Sequence, residues 1–232
     1  MRVLIIGSGG REHAFAHAIR QSDRLSALFV APGNAGILQL ADSAPVDVAD
    51  HSAVGHFCEA ERIDLVIVGP EAPLVDGLAD SLRARGVAVL GPSQAAAELE
   101  GSKAFVKQLA FANDVPTADS QTHDQVDTAL AALDDFALPV VVKADGLAAG
   151  KGVIIAETKA QAEDAVRACF DGAFGAAGSR VVIEEFLSGE EISCFALCDG
   201  TDYRWLGSAQ DHKRVGEGDT GPNTGGMGAY SP

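Results

Sequence analysis

Short apolar runs alternate with helical patterns along the first part of the chain. The apolar runs predict buried strands at residues 3–6, 28–31, 65–68 and 87–90, and the patterns between them predict helices at 12–20, 53–62 and 74–85. Apolar runs without polar alternation, separated by helices, are typical of a parallel sheet covered on both faces. This pattern therefore predicts an open α/β domain over residues 1–92.

Glycine-bearing turns follow each of these predicted strands. Ligands of open α/β sheets bind beyond the carboxyl ends of the strands. We therefore expect a binding surface built from backbone at residues 7–10, 32–36, 69–71 and 91–93.

The pattern changes after residue 92. Helices are predicted at 94–100, 103–112, 125–133 and 160–170, and strands at 140–143, 153–156, 181–185, 192–197 and 203–206. Strands joined by short turns, with helices to one side, indicate an α+β domain over residues 93–232. Gly, Asn, Thr and Pro dominate residues 216–232, which we expect to be a loop.

Charge and cysteine content narrow the class of protein. The 33 acidic residues against 17 Lys and Arg give a net charge of −16, which disfavours nucleic-acid and anionic-membrane partners. The four cysteines form no CxxC pair and no zinc-like spacing with the histidines. Dispersed thiols favour a reducing cytoplasm. No apolar stretch approaches the ~18 residues of a membrane span.

Residues 7–12, Gly-Ser-Gly-Gly-Arg-Glu, join a predicted strand to a predicted helix. That position suits a phosphate, because free N–H groups and the helix dipole face the ligand. A dinucleotide fingerprint would place glycine where Glu12 stands and an acid at the end of the second strand, where none occurs. Arg11 favours an anion site over a purely structural turn, and NAD is disfavoured.

Residues 146–152, Gly-Leu-Ala-Ala-Gly-Lys-Gly, resemble a P-loop only superficially. Three residues separate the first two glycines, no Ser or Thr follows the lysine, and a strand follows instead of a helix. A hairpin loop that folds its amides over a triphosphate fits better, with Lys143 as a second cation. The alternative is an ordinary glycine-rich hairpin.

Three further clusters are ambiguous from the residues alone. The acids at 184, 185, 190 and 191 could bind a metal, orient a ribose or face solvent, and the solvated interpretation is favoured. His13 and His17 have i,i+4 spacing that can bind zinc, but no third ligand is evident. Residues 211–214, Asp-His-Lys-Arg, border a glycine-rich segment, and we interpret them as functional.

Five segments together resemble the phosphoribosylamine–glycine ligase family of the ATP-grasp superfamily, and the resemblance spans the whole chain. They are residues 7–14 (GSGGREHA), 69–74 (GPEAPL), 143–153 (KADGLAAGKGV), 210–214 (QDHKR) and 221–232 (GPNTGGMGAYSP). The resemblance implies an α/β chain whose pre-ATP-grasp domain precedes an incomplete ATP-grasp domain, with a small ATP lobe at about residues 115–190. It also implies ATP-dependent ligation of glycine to 5-phosphoribosylamine through a glycyl phosphate, in purine biosynthesis.

The resemblance implies roles by position. Lys107 and Lys143 would hold ATP phosphates, and Glu191 would take the ribose hydroxyls, in place of the solvated interpretation. The implied ATP-binding residues are Lys107, Lys143, Gly150, Lys151, Gly152, Glu184, Glu185, Phe186, Leu187 and Glu191. The implied substrate-binding residues are Gly9, Gly10, Arg11, Glu12, Gly69, Pro70, Glu71, Asn223, Thr224, Gly225, Gly226 and Met227. Asp211, Lys213 and Arg214 are implied at the glycyl phosphate.

The family pattern continues for about as long again, so the sequence resembles an amino-terminal half. The Mg²⁺ or Mn²⁺ ligands would lie beyond Pro232, and we expect residues 1–232 alone not to catalyse the ligation. The implied protein is cytoplasmic, binds small molecules, and is a monomer or weak homo-oligomer. Another ATP-grasp carboxylate–amine ligase of purine synthesis and a non-catalytic nucleotide-binding module remain alternatives.

Overall fold

The structure, a computed structural model, describes residues 1–147, 152–218 and 220–231. Contacts within the chain divide it into two compact units, Met1–Glu184 and Glu185–Pro232. The described residues of the first unit form two sheets, and those of the second form one. The chain is therefore of the α/β class, as predicted.

A parallel five-stranded sheet forms the amino-terminal part, which confirms the prediction. Its strand order is β3-β2-β1-β4-β5, so the order reverses between β1 and β4. The short strand β3 was not predicted. The elements are β1 (Arg2–Gly7), α1 (Gly10–Ile19), β2 (Ala27–Pro32), β3 (Asp42–Ser43), α2 (His51–Ala60), β4 (Leu65–Val68), α3 (Glu71–Val75), α4 (Leu78–Ala84) and β5 (Ala88–Leu90).

Alternate side chains of β1 enter different cores, because successive strand residues point to opposite faces. Leu4 and Ile6 belong to the core that α2 and α4 cover. Val3 and Ile5 pack on the other face, with Ala16 of α1. Burial on both faces explains why the strands are apolar without alternation.

The single helix predicted at 74–85 is wrong, because the segment is divided between α3 and α4. Gly77 precedes α4 with a φ of +92°, a left-handed conformation that glycine adopts without steric cost. The helical periodicity of the sequence continued through this break and concealed it.

The second sheet has the strand order β6-β9-β7-β8, with β6 antiparallel to β9 and β7 antiparallel to β8. Val142 and Ile183 share one core with α7 and α8, as the helices-to-one-side pattern predicted. Strand β6 is polar and was not predicted. The elements are α5 (Gln94–Gly101), α6 (Lys103–Ala112), β6 (Ser120–His123), α7 (Val126–Ala132), β7 (Val140–Ala144), β8 (Val153–Ala156), α8 (Lys159–Ala168) and β9 (Val181–Glu185).

The second unit is an antiparallel sheet of three strands, β10 (Ser193–Cys198), β11 (Tyr203–Gly216) and β12 (Thr220–Tyr230). The loop expected at 216–232 is wrong, because β12 occupies most of it. The register shifts twice along the pairing, so the glycine-rich strand follows β11 through backbone pairs and irregularities. Pairing of the main chain outweighs the low strand propensity of Gly, Asn and Pro.

The described residues of the second unit contain no buried hydrophobic side chain. Large side chains of β11 are exposed instead, among them Tyr203 at 75% and Trp205 at 56%. Within the described residues, this sheet is held by its backbone ladder and by a few side-chain hydrogen bonds. No helix in the described part of the chain is long and apolar enough to cross a membrane.

Candidate active site

The turn between β1 and α1 is closed from behind by Glu12. Its Oε2 accepts a hydrogen bond of 2.6 Å from the Gly9 amide, and its Oε1 accepts one of 3.1 Å from Arg11 Nε. Glu12 is only 3% exposed. The carboxylate therefore occupies the inner side of the turn and uses one of the amides that a dinucleotide would need.

Glycines at two strand ends make room for this side chain. A Cβ on Gly69, which follows β4, would lie 2.0 Å from Glu12 Oε1, and one on Gly7 would lie 2.7 Å from Glu12 Cγ. Glu12 thus lies between the ends of β1 and β4, where the strand order reverses. That reversal is the usual ligand position of an open α/β sheet.

Arg11 presents its guanidinium to the outside of the same turn. Its side chain is 58% exposed, and Nη2 lies 3.8 Å from Glu71 Oε2, at the start of α3 after Pro70. A Cβ on Gly10 would meet no atom within 4 Å, so this backbone is open. The structure thus brings the predicted residues of the β1 and β4 turns together.

Asn34 ties the turn after β2 to the same place. Its Nδ2 donates to the Ser8 carbonyl at 2.7 Å, and its Oδ1 accepts from the Gly36 and Ile37 amides. Asn34 was predicted to lie in a turn, but no role was predicted for it. His13 packs here as well, because a Cβ on Gly36 would lie 2.5 Å from its Cε1.

Lys107 and Lys143 meet at one buried carboxylate in the second sheet. Glu184 Oε2, at the end of β9, lies 2.7 Å from Lys143 Nζ and 3.4 Å from Lys107 Nζ. Lys107 also donates to Thr117 Oγ1 and the Ala118 carbonyl, each at 2.8 Å. These bonds occupy the Lys107 ammonium inside the protein, whereas the Lys143 side chain is 25% exposed.

The hairpin between β7 and β8 begins directly after Lys143 and Ala144. The strand that follows it confirms that this segment is not a P-loop. Gly152 closes the hairpin, since its carbonyl accepts from the Ala144 amide at 2.8 Å. The predicted residues Gly150 and Lys151 lie outside the described residues.

Asp145 is a polar centre that the sequence did not single out. Its carboxylate accepts from Ser102 Oγ and from the Ala104 amide, and Arg180 Nη1 lies 3.4 Å away. Lys103 Nζ donates to the neighbouring Gly146 carbonyl at 2.8 Å, and burial lowers the pKa of Lys103. No local sequence signal indicates this contact, because Ser102 and Asp145 are 43 residues apart in the chain.

In the second unit, β11 carries an ion-pair cluster. Lys213 Nζ lies 2.6 Å from Glu191 Oε1 and 3.8 Å from Asp211 Oδ2. The hydrogen bond to Glu191 raises the pKa of Lys213. The structure therefore brings together Asp211 and Lys213, predicted at the glycyl phosphate, with Glu191, predicted at the ribose.

The remaining predicted residues of this unit lie mostly on the β11–β12 pair. Arg214 Nη1 donates to the Gly221 carbonyl at 2.6 Å, and Thr224 Oγ1 donates to the Lys213 carbonyl at 2.9 Å. Gly226 donates its amide to Thr224 Oγ1 at 3.0 Å. Exposed or solvent-facing positions are Glu185, Phe186, Leu187, Gly225 and Met227, while the backbone of Asn223 lies in β12.

Two family models together match the chain from end to end. Phosphoribosylglycinamide synthetase, N domain, matches residues 1–100, and phosphoribosylglycinamide synthetase, ATP-grasp (A) domain, matches residues 101–232. The chain belongs to the phosphoribosylglycinamide synthetase family. The two models meet between residues 100 and 101, about eight residues beyond the predicted domain boundary at 92/93. That boundary and the limits of the ATP lobe stay predictions.

Individual members of the family are close in sequence and fold. The chain is 57% identical over all its residues to phosphoribosylamine–glycine ligase of Mesorhizobium japonicum, and 58% identical to that of Brucella melitensis. The crystal structure of phosphoribosylamine–glycine ligase from Thermotoga maritima matches 99% of the chain with a TM-score of 0.83 and 32% identity. The chain spans 55%, 54% and 55% of these relatives' lengths, respectively.

Proposed function

We propose that the full-length protein joins glycine to 5-phosphoribosylamine at the expense of ATP, giving glycinamide ribonucleotide, ADP and phosphate. The observation that supports this most is the identity of 57–58% to two phosphoribosylamine–glycine ligases along the entire chain. The geometry agrees, because buried Glu184 holds two lysines at the base of a glycine-rich hairpin.

In the proposed reaction, a glycine carboxylate oxygen attacks the γ-phosphorus of ATP, and ADP leaves. The amine nitrogen of phosphoribosylamine then attacks the acyl carbon of the glycyl phosphate, phosphate leaves, and the nitrogen loses a proton. Little covalent chemistry is required of the protein, which positions the reactants and neutralises charge. Neither step changes an oxidation state, so the reaction requires no oxidant or reductant.

Lys143 is assigned to the ATP phosphates, because its side chain is 25% exposed and one carboxylate orients its ammonium group. Lys107, fully engaged inside the protein, supports that arrangement. The proposed nucleotide set also includes the backbone of Glu185 and Leu187 at the adenine and Glu191 at the ribose. The second-unit cluster of Asp211, Lys213 and Arg214 is proposed for the glycyl phosphate.

The β1 and β4 turns are proposed to hold phosphoribosylamine. Arg11 offers a guanidinium suited to a phosphate, beside the open backbone of Gly10. Glu12, in contrast, is placed behind the turn, where it occupies the Gly9 amide. This use of Gly9 also disfavours NAD at the strand-order reversal.

A divalent cation, Mg²⁺ or Mn²⁺, is typical of ATP-dependent phosphoryl transfer. Within the described residues, no group of three or more His, Cys, Asp and Glu side chains could hold a metal ion. The proposal keeps the cytoplasmic location expected from the cysteines, all four of which are free thiols.

The test is ADP release by the purified full-length protein with Mg²⁺ and each substrate omitted in turn. We expect release to require both glycine and phosphoribosylamine. Release with another carboxylate, such as bicarbonate or D-alanine, but not with glycine would assign the protein to a different ATP-grasp ligase. Tight ATP binding with no release under any combination would favour a nucleotide-binding module. NAD binding tighter than ATP would contradict the nucleotide assignment.

A further inference from the structure

We propose that Asp145 is a positioning residue that fixes Lys107 and Lys143 relative to each other. The two lysines lie on different elements, Lys107 on α6 and Lys143 on β7. Asp145 directly follows β7, and its side chain is hydrogen-bonded to the start of α6. This inference rests on the proposed ATP site, since it assigns Asp145 a role through the lysines of that site.

The Asp145 carboxylate caps a helix that is remote in sequence. Oδ1 accepts from the Ala104 amide at 3.1 Å, and both carboxylate oxygens lie 3.2 Å from Ser102 Oγ. Ser102 in turn accepts from the Phe105 amide at 3.1 Å. Asp145 and Ser102 thus satisfy two of the amide donors that the start of α6 leaves without helical partners.

Two further contacts hold the same junction. Lys103 Nζ donates to the Gly146 carbonyl at 2.8 Å, and the Asp145 amide donates to the Arg180 carbonyl at 2.9 Å. The Asp145 side chain is 9% exposed, so water competes little with these bonds. Asp145 is therefore bonded to the start of α6 and to the segment that enters β9.

The consequence for the lysines follows from their positions in the chain. Lys107 lies one helical turn after Lys103 on α6, and Lys143 lies two residues before Asp145 on β7. A helix whose start is bonded to the end of β7 cannot slide along that strand without breaking these bonds. The junction therefore sets the offset at which both ammonium groups reach the same oxygen of Glu184.

A purely structural role for Asp145 would act through the stability of the core. The core beneath β7 is built from apolar side chains such as Val142 and Ile183, and Asp145 is not among them. Its side-chain contacts are polar and reach the start of α6 and Arg180. Loss of its carboxylate should consequently displace Lys107 more than it disturbs the core.

The test compares ATP affinity, measured by calorimetry without glycine, among variants of the full-length protein. We expect Asp145→Ala to weaken ATP binding about tenfold, the scale of one lost charged hydrogen bond. Asp145→Asn keeps an acceptor for Ala104 and should recover most of that affinity. Asp124→Ala is the matched control, because this exposed aspartate lines the same cleft as Asp145, and it should bind ATP like the wild type.

A double-mutant cycle separates positioning from general stability. In a Lys107→Met background, Asp145→Ala should weaken ATP binding by much less than tenfold, because the group it positions is already absent. An undiminished factor in that background would overturn the positioning role, as would wild-type affinity in Asp145→Ala. Unfolding curves of each variant confirm that folded protein is compared. If Lys107→Met and Lys143→Met both bind ATP normally, the proposed ATP site is wrong and the inference falls with it.

Discussion

Glu184 and Lys143 form the shortest ion pair of the lysine cluster, with 2.7 Å between Oε2 and Nζ. The same oxygen lies 3.4 Å from Lys107 Nζ, and Glu184 is 4% exposed. A single buried carboxylate therefore offsets the repulsion between two neighbouring cations. Its other oxygen, Oε1, is buried with no hydrogen-bond partner in the described residues.

Removal of this negative charge should destabilise the fold. We expect Glu184→Gln to lower the free energy of unfolding by about 3–5 kcal/mol, because buried Lys107 would lose its counter-ion. Urea unfolding monitored by circular dichroism measures the change. Glu157→Gln removes an exposed carboxylate after β8 and should stay within about 0.5 kcal/mol of wild type. Equal stability of the two variants would contradict the buried-pair interpretation.

Lys143→Met should affect activity more than stability. Its side chain is 25% exposed, so the methionine can occupy the space while the cation that we propose for the transferring phosphoryl group is lost. We expect the turnover number of the full-length enzyme to fall on the order of 10²–10³. Lys159→Met removes an exposed lysine of α8 that pairs with Asp134, and it should retain wild-type turnover. Normal turnover in Lys143→Met would refute the phosphate assignment.

The parallel sheet could be predicted because its central strands, β1 and β4, are buried on both faces and so are continuously apolar. Strand β12 could not, since Gly, Thr and Asn favour turns locally and only pairing with β11 makes the segment extended. Polar β6 was missed for the same reason, because its pairing with β9 supplies the ladder that its composition does not indicate.

The candidate site shows the same division between local and long-range information. Lys143 was predicted as a cation beside the glycine-rich hairpin and Lys107 by resemblance to a family pattern, yet nothing local predicts that they share Glu184. Glu12 was predicted from the glycine that it replaces and, by resemblance, at the substrate, whereas its packing depends on Gly69, which follows a different strand. Asp145 was overlooked because its partner helix begins more than 40 residues earlier in the chain.

The four cysteines should fall into two classes of reactivity. Cys58 and Cys169 are buried, whereas Cys194 and Cys198 are exposed. Burial raises the pKa of the Cys58 thiol to about 11 and also raises the pKa of Cys169. At pH 8 we expect iodoacetamide to alkylate Cys194 and Cys198 rapidly, and the other two only after unfolding, as read by peptide mass spectrometry. Rapid native alkylation of Cys58 would contradict this.

The Cys58 thiol should make the stability of the fold decrease at alkaline pH. An unfolded cysteine ionises near pH 8.5, whereas folded Cys58 stays protonated up to about pH 11. Between these values the unfolded state binds fewer protons than the folded state, so stability should fall as pH rises. Cys58→Ala should show a shallower fall than wild type in urea unfolding between pH 8.5 and 10. An unchanged slope would contradict a contribution from Cys58.

Gly69 lies directly against the buried side chain of Glu12. Gly69 lacks the left-handed φ that would itself require glycine, so its need for a bare backbone is steric. An added Cβ would lie 2.0 Å from Glu12 Oε1. Because the carboxylate also bonds to the Gly9 amide and to Arg11, it cannot move away without breaking those bonds.

We expect Gly69→Ala to lower the free energy of unfolding by about 1–3 kcal/mol, the range for overpacking, and to weaken the binding of phosphoribosylamine by displacing Arg11. Gly10→Ala is the matched control for stability, since its Cβ would meet no atom within 4 Å and its helical position favours alanine. In a Glu12→Ala background the clash is absent, so Gly69→Ala should cost little there. Urea unfolding of the four variants measures the coupling. Equal costs of Gly69→Ala with and without Glu12 would show that the glycine does not serve to accommodate this carboxylate.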